Sequence, residues 1–502
     1  MNVPLTDFGR THLIGVGGAG MSAIAALLVA RGLDVTGSDA REGAALAGLR
    51  AAGVTVWVGH DAAHVDGAST VVVSTAVRES NPELTAARAR GLRVLHRSQA
   101  LAALMAGRRS IAVAGAHGKT TTSAMTAVAL AAAGLDPSFA IGGTVLYELP
   151  AGASATGNAA PAGPLGGAHD GRGEVFVAEA DESDGSFLAY APTIAVVTNV
   201  EPDHLDHYGT RAAFERAFEE FAARIVDGGC LVACADDAGA GRLVGAARAP
   251  LAARGAQVLT YGEDPGADVV VSDYRSTAGA GSTCVLRTAH PLLRGPGSGL
   301  GADVVLEVRL TLAVPGRHNA LDAAAAWTAV RLVGVDPDAA AAGLAAFRGT
   351  GRRFEDRGSA AGVRVVDDYA HHPTEVAALL AAARPVAAGG RVLALFQPHL
   401  YSRTRAFAAE FAAALDLADV VVLTDIYGAR EDPDPAVTSA LITAQVPTRG
   451  KATFVPDRIA AARTIAERAR PGDLILTVGA GDVTELAQVV LDTLTAAEGS
   501  TR

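Results

Sequence analysis

The chain reads as an α/β protein of three successive units, each a parallel sheet flanked by helices. Three observations carry that reading. Apolar runs of strand length alternate with alanine-rich helical runs along the sequence, an alternation that requires crossovers between parallel strands. A strand, a glycine turn and a helix open the chain in "THLIGVGGAGMSAIAALLVARG", and the same order returns in "IAVAGAHGKTTTSAM". At 502 residues the chain exceeds what one ordinary core fills, so several domains are expected.

The first unit draws its strands from "THLIGV", the run ending at Asp39, "VTVWVG" and "STVVVSTAV", and ends with "GLRVLHRSQALAALMAG". The second starts at Ile111. Within it, residues 151–173 are small and polar without period, the composition of a flexible insertion. Residues 287–303, "RTAHPLLRGPGSGLGAD", read the same way. A helix in "NALDAAAAWTAVRLVG" follows, and a third unit starts near "GTGRRFEDRG". Its strands lie in "VRVVDDY", "RVLALFQP", "DVVVLTDI" and "DLILTVGAG", so the joints fall near residues 108 and 348.

Half of the residues are hydrophobic and 19% are charged, the balance of a globular chain. A formal net charge of -11 excludes a general nucleic-acid binder, although local basic sites can still hold a small anion. Cys230, Cys234 and Cys284 are too few and too irregular for a disulfide framework or a zinc site. The first twenty residues lack the basic and apolar regions of a secretion signal, and no uninterrupted apolar run is of membrane-spanning length. A cytoplasmic protein without a membrane partner is expected.

Gly15, Gly17 and Gly20 satisfy G-x-G-x-x-G, and Asp39 follows near the usual distance. Such a turn lets the backbone approach a diphosphate at a helix N-terminus, where free N–H groups and the helix dipole favour anions. The pattern suits a nicotinamide dinucleotide, another diphosphate such as a UDP-sugar, or a tight turn that binds nothing. "GAHGKTT" is sharper. Gly115, Gly118, Lys119 and Thr120 form a short phosphate loop between a strand and a helix, and Lys119 is one of only two lysines, with Lys451. Backbone N–H groups cradle phosphate oxygens, lysine is a compact charge for the β- and γ-phosphates, and the threonine hydroxyl suits Mg²⁺. ATP is therefore expected in the middle unit. Two acidic runs follow at strand ends: Glu179, Asp181, Glu182 and Asp184, then Asn199, Asp203, His204, Asp206 and His207. Hard Mg²⁺ takes such oxygens, and His204 would suit a second ion.

The motifs "GAHGKTTT", "EADESD", "TNVEPDHLD", "GRHNALD", "DDYAHHPTEV", "FQPHLYSRT" and "GAGDV" stand in the order of the Mur ligases, and "GVGGAGMS" precedes them. The chain resembles that family over essentially all of its length apart from the two insertions. The resemblance implies a Rossmann-like UDP-substrate domain (1–108), a central P-loop ATPase domain (109–348) and a C-terminal Rossmann-like ligase domain (349–502). The implied activity is ATP-dependent attachment of L-alanine to UDP-N-acetylmuramate through an acyl phosphate, an early step of peptidoglycan precursor synthesis. ATP and two magnesium ions are implied, in a monomer or weak homodimer. By the same resemblance, Gly15, Gly17, Gly18, Gly20 and Asp39 hold the UDP substrate, with Ser74 and Arg97 as helpers. Gly115, Ala116, His117, Gly118, Lys119, Thr120 and Thr121 hold the ATP phosphates. Thr120, Glu179 and His204 ligate metal; Lys119, His204 and Arg403 carry the chemistry, Arg403 also taking the alanine carboxylate or a substrate anion. His318 and Asn319 lie where the family meets adenine, and Asp368 and His371 in its C-terminal nucleotide motif.

Other readings of these last residues are a helix N-cap for Asn319, a packed turn for the histidines before Pro373, and a solvated helix start for Arg403 and Arg405. Three positions depart from the family: Ala116 replaces a threonine, Asp322 an asparagine whose amide could have met adenine, and Leu400 an arginine. No lysine follows "DHLDHYG" before Lys451, which sets aside the members that carbamoylate a lysine there. The alternatives are a ligase that attaches a whole peptide to UDP-N-acetylmuramate, a nicotinamide oxidoreductase with an added nucleotide domain, and an ATPase switch without ligation.

Overall fold

The computed structural model describes residues 3–147, 166–277, 279, 281–294, 304–429 and 431–500. Three mainly parallel sheets follow one another along the chain, as the strand–helix alternation requires. In the first sheet the strands lie in the order Thr55–Val58, Val35–Asp39, Thr11–Ile14, Thr70–Val73 and Arg93–His96, all parallel. The second has a parallel centre of Gln257–Gly262, Cys230–Cys234, Ile194–Val197, Arg109–Ala114, Val175–Glu179 and Ser138–Ala140. Its central strands are buried on both faces, which is why they read as unbroken apolar runs rather than alternating ones. The third sheet runs Glu355–Ala360, Val363–Asp368, Leu474–Val478, Val392–Phe396, Val420–Leu423 and Ala452–Phe454, with only its first pair antiparallel.

Polar side chains start many of the intervening helices. Asn81, Thr210, Asp237, Asp336 and Asp457 each accept a hydrogen bond from a backbone N–H of the first turn. The helix expected from "NALDAAAAWTAVRLVG" starts two residues earlier, at Arg317, so Asn319 lies inside its first turn and is not its N-cap.

The sheets group into two compact units. The first comprises residues 1–273, 284–311 and 321–348; the second comprises 274–283, 312–320 and 349–502. One continuous apolar core joins the first two sheets, running from Phe8 and Leu13 through Leu101 and Leu104 to Phe176, Phe187 and Phe218. The helices Ala19–Ala30 and Arg97–Met105 pack on Ala168–His169 and on the turn Ser186–Ala189, so each is shared by both sheets. In the second unit a separate core lies on each face of the sheet, one around Phe396 and Phe411 and the other around Ile475 and Leu486.

The insertion expected at 151–173 is ordered at its end. Residues 151–165 lie outside the described residues, but Ala168–His169 pairs antiparallel with Phe139 and Ala140. Asp170 accepts from Arg31 Nε at 3.0 Å, and Gly173 N donates to Asp136 O at 2.9 Å. A two-residue strand carries too weak a period to be seen in sequence. The stretch 287–303 is likewise anchored at its start: Thr288 ends a strand, and Leu293 is fully buried with its carbonyl accepting from Arg331. Residues 295–303 lie outside the described residues.

The Arg31–Asp170 pair is mostly buried, with 17% and 16% of the side chains exposed. Asp170→Ala should destabilise the first unit by on the order of 1–3 kcal/mol, between the values for exposed and buried pairs. Trp57 and Trp327 both lie in this unit, so urea unfolding followed by tryptophan fluorescence reads it. An unchanged midpoint would mean that residues 166–173 are as dispensable as their composition suggests.

Candidate functional site

The strand Arg109–Ala114 lies between Ile194–Val197 and Val175–Glu179, all three parallel. Their carboxyl ends therefore share one edge, and three chemistry-bearing loops leave from it. The loop after Ala114 turns into the helix Lys119–Ala132. Gly115 has φ 136° and Gly118 φ 82°, conformations that favour glycine. Space demands glycine as well: a Cβ on Gly115 would lie 2.1 Å from Thr198 Oγ1, and one on Gly118 would lie 2.5 Å from Asp322 Oδ1.

Lys119 is folded onto its own loop. Its ammonium donates to Gly115 O at 2.6 Å and Ala116 O at 3.3 Å, and it lies 2.9 Å from both oxygens of Glu182. Burial opposes its charge, but Glu182, Asp181 and Glu179 hold its pKa above the ordinary lysine value. Glu182 is fully buried; burial pushes its carboxyl up to about 7, against the opposing pull of Lys119. Thr120 Oγ1 donates to Glu179 Oε1 at 3.0 Å, and Gly142 N donates to Glu179 Oε2 at 2.7 Å. His117 N donates to Asn199 Oδ1 at 3.0 Å, and its ring is paired with Glu201 at 3.1 Å. Thr121 follows, half-buried in the first helical turn. His204 sits at φ 52°, a strained conformation for this residue type, with Nε2 3.9 Å from Glu182 and 3.6 Å from Asp203. Tyr208 donates its hydroxyl proton to the Glu182 carbonyl.

The first sheet gathers the other expected residues in the same way. Gly15 has φ 77°, and Gly17 N donates to Asp39 Oδ2 at 2.8 Å. A Cβ on Gly17 would meet that carboxylate at 2.9 Å. Gly18 caps the helix Ala19–Ala30. Ser74 follows directly on the strand Thr70–Val73. The Arg97 guanidinium lies beside Gly20, 3.3 Å from where a Cβ would be, and donates to Asp181 Oδ2 at 2.7 Å.

The second unit holds the remaining candidates. Asp368 is buried and accepts from Phe354 N and Ala370 N, both at 2.8 Å; burial raises its pKa to about 6. His371 N donates to Glu375 Oε2 at 2.9 Å, and His372 and Glu375 form a capping box on the helix Pro373–Val386. Burial keeps His371 neutral, with its pKa lowered to about 3, whereas His318, in the first turn of its helix, is exposed. Asn319 donates its amide to Pro315 O at 2.6 Å. Arg403 is only 7% exposed and lies 3.5 Å from His399 Nδ1, whereas Arg405 is 59% exposed and paired with Asp434. The solvated-helix reading therefore holds for Arg405 and fails for Arg403. Leu400, at φ 69°, is buried and donates its N–H to Tyr427 O at 3.0 Å.

Two residues carry more than the sequence indicated. Glu182 was visible only as one acid among four, and nothing in its spacing marked it as the partner of Lys119. Asp322 accepts from Thr122 Oγ1 at 3.0 Å and fills the space beneath Gly118, so this departure from the family supports the phosphate loop. Among the described residues, no helix is long and apolar enough to cross a membrane.

Three family models match the chain: "Mur ligase family, catalytic domain" at residues 10–109, "Mur ligase middle domain" at 113–330, and "Mur ligase, glutamate ligase domain" at 352–481. A UDP-N-acetylmuramate–L-alanine ligase of Kineococcus radiotolerans is 58% identical over 490 residues, covering 97% of this chain and 96% of its own. One from Renibacterium salmoninarum is 54% identical, covering 98% of both chains. Among solved structures, a UDP-N-acetylmuramate-alanine ligase of Thermotoga maritima aligns with TM-score 0.75 at 28% identity, covering 98% of this chain and 99% of that one. A murein peptide ligase of Psychrobacter arcticus aligns with TM-score 0.68 at 26% identity, covering 97% and 99%.

A histidine held neutral by burial, as His371 is, binds fewer protons folded than unfolded. The stability it contributes is complete above its ordinary pKa of 6.5 and is lost as pH falls toward 3. For His371 the loss should approach about 1.4 kcal/mol per pH unit below that point. His371→Gln should therefore flatten the fall in urea stability between pH 7.5 and pH 5, read by hydrogen exchange in Val363–Asp368 and Leu474–Val478. Parallel losses in both proteins would show that His371 is protonated as readily folded as unfolded.

Proposed function

The chain belongs to the Mur ligase family, and from that premise we propose that it joins L-alanine to UDP-N-acetylmuramate with cleavage of ATP to ADP and phosphate. The observation that carries this reading is full-length similarity to relatives of that activity, at 58% and 54% identity. The phosphate loop, with its lysine set among strand-end carboxylates, supports it. The peptide-adding alternative is not favoured, since relatives 58%, 54% and 50% identical over nearly the whole chain are alanine ligases. The nicotinamide alternative is not favoured either, because the matched family spans all three sheets.

The chemistry joins two anions and then forms an amide. A carboxylate oxygen of the muramate lactoyl group attacks the γ-phosphorus of ATP, and ADP leaves with the electron pair of the broken P–O bond. The alanine amine then attacks the acyl carbon; its proton is lost and phosphate departs. Charge neutralisation and positioning dominate such a reaction. Lys119 supplies the cation for the β- and γ-phosphates, exchanging its loop carbonyls and Glu182 for phosphate oxygens. The backbone of residues 115–121 cradles those phosphates, and Gly15, Gly17, Gly18 and Gly20, with Asp39, Ser74 and Arg97, receive the UDP substrate. Arg403 pairs with the alanine carboxylate; His318, Asn319, Asp368 and His371 complete the nucleotide contacts.

Thr120 and Glu179 are hard oxygen donors 3.0 Å apart, a set that fits Mg²⁺; His204, near Glu182, is the place for a second ion. Held by these residues, magnesium would supply neutralisation of the phosphate charge and orientation of the transferred group. The protein would work in the cytoplasm, on soluble substrates, with three domains at 1–108, 109–348 and 349–502.

Phosphate release should require ATP, UDP-N-acetylmuramate and L-alanine together, and Lys119→Ala should suppress it at least a hundredfold, about 3 kcal/mol. UDP-substrate binding should survive in that variant. Near-normal turnover would end the phosphate-loop assignment, and release without alanine would favour an ATPase switch.

Arg403→Lys should raise KM for alanine about tenfold, roughly 1.4 kcal/mol, and leave KM for ATP unchanged, because ammonium keeps the charge but loses the two-pronged geometry. Leu400 offers no second guanidinium to compensate. A shift in the muramate KM instead would make Arg403 a reader of the sugar substrate.

A further inference from the structure

Arg97 stands between two anion-attracting features of the first unit. It is the first residue of the helix Arg97–Met105, and its guanidinium lies beside Gly20, in the first turn of the helix Ala19–Ala30. That helix is twelve residues long and follows the glycine turn, so its free N–H groups face the place given above to the UDP diphosphate. The other side of the guanidinium faces the acidic turn after Glu179. One Nη lies 2.7 Å from Asp181 Oδ2 and 3.6 Å from Asp184 Oδ2.

The turn is built around this cation. Asp181 Oδ1 accepts from Ser183 N at 3.0 Å, and Asp184 Oδ1 accepts from Ser186 N at 3.0 Å. Asp184 also accepts from Thr75 Oγ1 at 3.0 Å, with His96 Nε2 3.8 Å away. Burial works against the Asp181 charge, yet Arg97 and then Lys119 hold its carboxyl well below the usual carboxylate range. Only 20% of the Arg97 side chain is exposed; one Nη serves Asp181 and the other lies beside Gly20, so an anion that takes both Nη groups must loosen Asp181. Glu182, the next residue, is the partner of Lys119.

We propose that Asp181 is a positioning residue that acts through Arg97: it holds the guanidinium in the free protein and competes for it with the diphosphate of the incoming sugar nucleotide. The proposal rests on the reading that residues 15–20 receive UDP-N-acetylmuramate. The competition lowers the affinity for that substrate and ties its arrival to release of the turn that carries Glu182, the carboxylate partner of Lys119. A bound diphosphate can accept from both Nη groups at once, whereas Asp181 takes one and Asp184 stands back at 3.6 Å, so the exchange runs toward the substrate.

A double-mutant cycle on the Kd for UDP-N-acetylmuramate, measured by calorimetry on the full chain without ATP, tests this. Arg97→Gln should weaken binding at least tenfold. Asp181→Asn should tighten it at least threefold in the parent and leave it unchanged in the Arg97→Gln background, a pattern that a merely structural role for Asp181 would not give. A second measurement needs no variant: on adding UDP-N-acetylmuramate to the parent, the amides of Ser183 and Ser186 should exchange faster. If Arg97→Gln binds as tightly as the parent, the diphosphate does not lie at this turn and both readings fall. If Arg97→Gln weakens binding but Asp181→Asn does not tighten it, or the two amides become more protected, the competition is wrong and the substrate site stands.

Discussion

The candidate site of the first unit depends on the common direction of its central strands. A parallel strand delivers its following loop to the same edge as its neighbours' loops, so Arg109–Ala114, Val175–Glu179 and Ile194–Val197 set Lys119, Glu182 and His204 around one point. One reversed strand would carry its loop to the far edge, some 15 Å away for a strand of about five residues. The third sheet obeys the same rule. Asp368, Gln397 and Gly479 each follow or end adjacent strands there, linked by Gly479 N to Asp368 O at 3.0 Å and Gln397 N to Val478 O at 2.9 Å.

Gathering loops also gathers charge. Glu179, Asp181 and Glu182 lie within reach of one lysine, and their repulsion inside a poorly hydrated edge would be costly without compensation. Lys119 and Arg97 provide it from opposite sides, while Thr120 and Gly142 N bind the oxygens of Glu179. Even so, Glu182 is left with a carboxyl pushed up to about 7, because full burial outweighs one neighbouring ammonium. The loop is thus held in order by the same charges that a phosphate would rearrange.

Part of the backbone strain lies at these edges. Gly115 and Gly118 occupy left-handed conformations where side chains from neighbouring loops leave no room for a Cβ. His204 and Leu400 adopt positive φ without glycine's freedom, and each lies beside a group implicated in the chemistry: Glu182 for the first, Arg403 three residues on for the second.

The sequence by itself determined the α/β class, the order of the three sheets and the phosphate loop, because strand–helix periodicity and glycine spacing are local properties of the chain. It also determined the candidate residues, since their motifs are contiguous. Tertiary structure alone decided how they pair. That Glu182 rather than another acid of "EADESD" meets Lys119, that Arg97 reaches Asp181 across 84 positions, and that Asp322 supports Gly118 from 204 positions away depend on which strands become neighbours. The merging of the first two sheets into one unit was equally hidden, because helices with apolar residues on two faces can serve two sheets at once. Burial, too, lies beyond the sequence: Arg403 and Arg405 sit two positions apart on one short helix, and only the packing around them made one a buried neighbour of His399 and the other a surface ion pair.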